Sequence, residues 1–141
     1  MSLIFWDTNL FIYLIEEHAE FGPRVKEVRS LMFRRQDRLC TSALALGEML
    51  TGPLIRNDEG LFDRYKGLLR PPLVEVLPFG REATDHYARI RTNPNISRAD
   101  AIQLACAAAA GVDLFLTNDA HLGRLYVPGI QFIAGLENCP L

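Results

Sequence analysis

Four carboxylates in this 141-residue chain are spaced so that a fold could gather them: Asp7, Glu48, Asp100 and Asp119. Asp7 ends the apolar run Leu3–Trp6, and Asp119 ends the segment that begins with the apolar run Leu114–Leu116. Asp100 stands three residues after Ser97, the S-x-x-D spacing of a capping box, at the head of a helix over Ala99–Ala110 stopped by Gly111. Glu48 lies about two turns into a helix, among Leu44, Leu46, Met49 and Leu50, with no basic residue three or four positions away. Two carboxylates ~5–6 Å apart repel by about 3 kcal/mol at an effective dielectric near 20, so four together require solvent, protonation or a cation. Oxygen donors without His or Cys favour Mg²⁺ or Mn²⁺ over zinc. Such an ion acidifies bound water and stabilises charge on a transferring phosphoryl group. The chain has no Gly-rich phosphate loop of Walker or Rossmann type, so a phosphate substrate would face the metal directly.

Three of the acids also have a plainer explanation. Asp100 suits the capping box, and Asp7 and Asp119 suit Asx turns. Glu48 has no comparable structural role. A shared site therefore depends on whether the elements bring the four acids to one edge.

Leu3–Trp6 is apolar on both alternating faces, as in a strand buried on both sides of a parallel sheet. Asp7-Thr8-Asn9 breaks it, and a short helix follows over Leu10–Ile15. Pro23 opens a helix to about Gln36, with Val25, Val28 and Met32 as its stripe and Arg34-Arg35 at its negative end. Leu39–Thr41 reads as a second strand, with Ser42 capping a helix over Ala43–Leu50. Gly52-Pro53 and Asn57–Gly60 read as a loop or broken helix, before helix Leu61–Leu69 and a third strand, Leu73–Leu77. Helix Arg81–Arg91 precedes the Ala99–Ala110 helix, the fourth strand follows at Leu114–Leu116, and Ile130–Ile133 is the last strand. This alternation predicts one domain over residues 1–141: a three-layer α/β/α sandwich on a parallel sheet of four to five strands. Right-handed crossovers run helices antiparallel to strands, so helix starts and strand C-termini share an edge. All four acids fall toward that edge, where open α/β folds bind ligands.

The length suffices to bury roughly 68–70% of the unfolded surface. Hydrophobic residues make up 49% and charged residues 23%, and the formal net charge is −2, so no global field draws the chain to nucleic acid or membrane. The fifteen basic residues are Arg except for Lys26 and Lys66; Arg suits bidentate phosphate contacts, but genomic base composition produces the same excess. Cys40, Cys106 and Cys139 lack C-x-x-C spacing; Cys40, at a strand end, and Cys106, in an apolar helix, read as small buried hydrophobes in a reducing compartment. The N-terminus lacks a basic segment, and no apolar stretch reaches the ~18 residues of a membrane span, so a cytoplasmic location without membrane contact is expected.

Asp7-Thr8-Asn9, Glu48 with Gly52-Pro53, Ala99-Asp100-Ala101 and Thr117-Asn118-Asp119, in this order, resemble the signatures of PIN-domain ribonucleases. The resemblance spans essentially the whole chain and is closest to the VapC-type toxins of toxin–antitoxin pairs. It implies a Mg²⁺- or Mn²⁺-dependent endoribonuclease, homodimeric and inhibited by a cognate antitoxin protein. Carried over, Asp7 and Asp100 are the principal metal ligands, and Glu48 and Asp119 complete the catalytic, metal-holding site. Asn9 and Thr117 become hydrogen-bonders behind them. His121-Leu122 departs from the His-aromatic pair of many relatives, and His121 reads as structural.

Arg98, beside Asp100, is a candidate for a substrate phosphate, and Arg56 is another. Phe5, Trp6 and Phe115 lie in strands and should be core. A haloacid dehalogenase-type phosphatase also begins with an apolar strand ending in Asp. It needs a second Asp where Asn9 stands and a Lys before the final acids, where there is none. A non-catalytic PIN-like module docking RNA or protein is the other alternative, against which the intact set of four acids argues.

Overall fold

The computed structural model describes residues 1–141 and is built on a five-stranded sheet, parallel throughout. Its strands are β1 (Leu3–Trp6), β2 (Arg38–Ser42), β3 (Glu75–Leu77), β4 (Leu114–Thr117) and β5 (Phe132–Gly135), in the order β3-β2-β1-β4-β5. The helices are α1 (Thr8–Ile15), α2 (Gly22–Arg35), α3 (Ala43–Ile55), α4 (Glu59–Leu68), α5 (Arg81–Arg91) and α6 (Arg98–Ala110), with a 3₁₀ turn at Leu122–Arg124. The expected sandwich is present, with five strands.

Every residue of β1 and β4 is buried, as cover on both faces requires. Leu3, Phe5, Cys40, Leu77 and Phe115 face a core shared with α5 and α6. Ile4, Trp6, Leu39, Leu114, Leu116 and Ala134 face a second core shared with α1 to α4. Phe5 and Phe115, partners in register across β1 and β4, stack with ring centroids 4.7 Å apart. With Trp6 they are wholly buried, as expected of core residues.

Several boundaries move from expectation, each for a local reason. α1 starts at Thr8, because Asp7 caps it by accepting the Thr8 N–H at 2.7 Å. α3 continues through Pro53 to Ile55; the buried proline ring compensates for the hydrogen bond it cannot donate. Only residues 56–58 then separate α3 from α4, which Asp58 caps through the Leu61 N–H. β3 starts at Glu75, because the Leu73 and Val74 N–H groups are both spent on the Arg70 carbonyl. β5 is displaced to Phe132–Gly135, because the Ile130 N–H closes a turn onto Val127. Cys40 lies inside β2, not at its end, and its thiol is pushed up to about 12, chiefly by burial. Burial likewise pushes the Cys106 thiol up to about 11, and all three cysteines are free. No helix is long and apolar enough to cross a membrane.

From β1 the chain builds outward through β2 to β3, then returns through α6 to lay β4 and β5 on β1's other side. The reversal falls between β1 and β4, so their C-terminal ends open the crevice where such sheets hold ligands.

Candidate active site

Asp7 stands at that crevice. Its Oδ1 accepts the Thr8 N–H at 2.7 Å, and its Oδ2 accepts the Thr117 hydroxyl at 2.8 Å. Burial pushes its carboxyl above the ordinary aspartate range; those two hydrogen bonds pull it down, and the charges of Asp100 and Glu48 push it up further. Asp100 and Glu48 are thus both within electrostatic reach of Asp7 although the three lie on different elements.

Asp100 is half-buried in the first turn of α6. Ser97 Oγ accepts the Asp100 N–H at 3.1 Å, but the Asp100 carboxylate makes no hydrogen bond or ion pair in return. Only one side of the capping box is formed, so capping does not account for this side chain.

Glu48 is exposed, and two groups hold its Oε1: the Thr8 hydroxyl at 3.0 Å and the Gln103 amide at 3.4 Å. Gln103 also donates to Thr8 Oγ1 at 2.9 Å and accepts the Ser42 hydroxyl at 2.7 Å. Ser42 caps α3 as expected, accepting the Ala45 N–H at 3.0 Å. Thr8 therefore lies between two acids, giving its N–H to Asp7 and its hydroxyl to Glu48.

Asp119 lies on the same edge, since its N–H donates to Thr117 Oγ1 at 3.0 Å. Its own Oδ1 takes the His121 N–H at 2.9 Å in an Asx turn, and it is not among the charges acting on Asp7. The edge therefore holds Asp7 with Asp100 and Glu48 acting on it, and a fourth acid, Asp119, folded onto its own loop. His121 is exposed and serves that turn through its backbone.

Thr117 hydrogen-bonds an acid as expected, whereas Asn9 is exposed and its side chain bonds nothing; Thr8 occupies the place expected of it. Arg98, the first residue of α6 next to its cap Ser97, is exposed with no carboxylate partner, free to meet an anion. Arg56 is committed elsewhere, pairing with Glu16 at 3.3 Å.

Thr8, Ser42 and Gln103 form a network that the sequence reading did not connect to the acids. A signal was present: Gln103 is the one amide in the otherwise apolar run Ala101–Ala110, three residues after Asp100 and so on the same helix face.

The donors fit a hard divalent cation, being oxygen throughout, with a half-buried carboxylate under the field of two others. No three Asp, Glu, His or Cys side chains close into a ready-made cage. Mg²⁺ does not need one, because it keeps several waters and takes one or two carboxylates.

The sequence model of the PIN domain matches residues 4–128. A ribonuclease named VapC23 from Mycobacterium tuberculosis is 31% identical over 128 residues, covering 88% of this chain and 98% of its own. Among solved structures, VapBC2 from Rickettsia felis, bound to a fragment of promoter DNA, superposes with TM-score 0.76 at 19% identity, over 94% of this chain and 98% of that one. DNA-bound VapBC from Salmonella typhimurium gives 0.74 at 24% identity, over 96% and 99%. VapC20 from Mycobacterium tuberculosis, described as a toxin that cleaves the sarcin–ricin loop, gives 0.66 at 17% identity, over 83% and 90%. These structures share the fold, and the sequence matches carry the kinship: the chain belongs to the PIN-domain family, among proteins of the VapC type.

Proposed function

We propose that this protein is a divalent-metal-dependent endoribonuclease acting as the toxin of a toxin–antitoxin pair. The observation that carries the proposal is the half-buried Asp100 carboxylate, left without any partner beside the half-buried Asp7 and the hydrogen-bonded Glu48. A fold with no use for those charges would pair them or replace them. The kinship with a named ribonuclease supports the substrate class.

In this reading Asp7 and Asp100 hold a Mg²⁺ or Mn²⁺ ion, and Glu48 and Asp119 complete the metal-holding, catalytic set. When bound, such an ion neutralises phosphate charge and acidifies water. Thr117 and Thr8 fix Asp7 through both carboxylate oxygens, and Thr8 also turns Glu48 toward the water that attacks the phosphodiester. Arg98 meets a flanking phosphate of the RNA. A cognate antitoxin protein and a second copy of the chain are the proposed partners, with the cytoplasm as the proposed location. VapBC complexes among the structural neighbours support the antitoxin.

The test is cleavage of RNA by repurified protein. Cleavage should require Mg²⁺ or Mn²⁺, stop with EDTA and return when metal is restored. Cleavage that persists in EDTA would overturn the metal-dependent reading.

A further inference from the structure

Five polar or charged residues are buried in this protein: Asp37, Thr41, Ser42, Gln103 and Thr117. Three of them, Ser42, Gln103 and Thr117, belong to hydrogen-bond chains that end on Asp7 or Glu48. Gln103 is the largest of the three, only 3% exposed, in a helix whose neighbouring buried positions are Ala, Leu and Cys. A Leu there would avoid the desolvation of an amide, so the amide needs a reason.

Its setting is fixed by its partners. Ser42 Oγ already accepts the Ala45 N–H, and its proton goes to Gln103 Oε1 at 2.7 Å. The amide nitrogen then faces Thr8 Oγ1 at 2.9 Å and Glu48 Oε1 at 3.4 Å. The reverse setting would place Gln103 Oε1 against Glu48 Oε1, two acceptors face to face. Thr8, accepting from Gln103, directs its own proton to Glu48 Oε1 at 3.0 Å. Glu48 Oε1 is thus held by two donors from α1 and α6, while Oε2 makes no hydrogen bond. An exposed glutamate otherwise samples many rotamers, and ordering it carries an entropic cost.

We propose that Gln103 is a positioning residue for Glu48. The chain Ser42–Gln103–Thr8 locks one carboxylate oxygen so that the other is presented, already oriented, to a divalent cation or to the attacking water. This inference rests on the proposed nuclease reading of the same edge. Gln103 itself touches neither metal nor RNA.

The test uses Gln103→Met, which keeps the volume and removes both hydrogen bonds, and Thr8→Val, which removes the hydroxyl between amide and carboxylate. Each is compared with wild type and Glu48→Gln in thermal melting, Mn²⁺ titration by calorimetry, and steady-state cleavage of RNA. Supporting outcomes are a melting midpoint within a few degrees of wild type, an unchanged KM for RNA, and kcat and Mn²⁺ affinity each reduced about tenfold, the usual scale for groups behind metal ligands. The Gln103→Met/Glu48→Gln double variant should be no worse than Glu48→Gln alone, because the amide acts through that carboxylate. If Gln103→Met does not fold, Thr8→Val with the same cycle decides. Unchanged kcat and Mn²⁺ affinity in an active protein, or losses that add fully to those of Glu48→Gln, would overturn the inference and leave the nuclease reading standing. A wild type that neither binds Mn²⁺ nor cleaves RNA would overturn both.

Discussion

Thr117 and Asp7, 110 positions apart in the chain, are joined by a 2.8 Å hydrogen bond from hydroxyl to carboxylate. The bond crosses between adjacent strands at the point where the sheet changes direction. It places Asp7, half-buried, next to the Asp119 loop, whose N–H in turn donates to the same hydroxyl at 3.0 Å.

Replacing Thr117 by Val keeps the shape and removes the hydroxyl. Asp7 would retain only the Thr8 N–H, and the Asp119 N–H would lose its acceptor. A loss of about 1–3 kcal/mol is expected, the scale for a buried polar group left without its partner. Urea unfolding of Thr117→Val and Thr117→Ser checks it, and the serine variant should recover most of the loss.

Asp7→Asn should stabilise the metal-free protein at neutral pH. Burial, chiefly, lifts the Asp7 carboxyl above its unfolded value, so the fold disfavours the charged form. That penalty is present above the native pKa, fades as pH falls through it, and vanishes below the ordinary aspartate value of about 3.9. An asparagine also suits the site: its oxygen can accept the Thr8 N–H, and its amide can donate to Thr117 Oγ1. In EDTA the variant should melt a few degrees above wild type at neutral pH, with the gap closing toward acid. Mg²⁺ should raise wild type more than the variant. A variant that melts below wild type at neutral pH would contradict this account of Asp7.

Sequence reasoning placed the acids well because strand ends and helix starts are strong local signals. Ser97 and Gly111 bracket α6 as expected, and the apolar runs of β1 and β4 end where the acids begin. It also expected like-charge repulsion shared among all four acids. In the structure burial leads, Asp100 and Glu48 contribute less, and Asp119 does not enter. Desolvation depends on what packs over a residue, which the residue's neighbours in sequence do not state. The Ser42–Gln103–Thr8 chain was harder to assemble: its members come from three elements, and only Gln103 stands out in its own segment. The extension of α3 through Pro53 was missed because a buried ring outweighs a helix-breaking rule.

Tyr65→Phe separates fold from site. The Tyr65 hydroxyl donates to Glu16 at 2.5 Å, and burial, followed by Glu16, pushes the phenol well above its ordinary range. Arg56 pairs with the same glutamate, so Glu16 keeps a partner when the hydroxyl is removed. The variant should lose about 1 kcal/mol of stability, as for an ordinary hydrogen bond, and cleave RNA at the wild-type rate. Denaturant unfolding and a cleavage assay on the same sample check both halves.

If the protein is a toxin, induced expression in a bacterial host should arrest growth, and Asp100→Asn should relieve the arrest at equal protein level. Growth curves with immunoblots test this. Equal arrest by both proteins would mean that expression burden, not cleavage, stops the cells.

Asp100→Asn in a purified cleavage assay is the most direct measurement of all. The Asp100 carboxylate supports no hydrogen bond and no ion pair in the fold, so removing its charge leaves the structure its caps and packing. A merely structural Asp100 therefore predicts no loss of activity. The metal-centred account predicts an unchanged or slightly raised melting midpoint together with a fall in Mg²⁺-dependent RNA cleavage of about 10²-fold or more, the scale of losing a group that stabilises the transition state. Undiminished cleavage by the folded Asp100→Asn protein would contradict it.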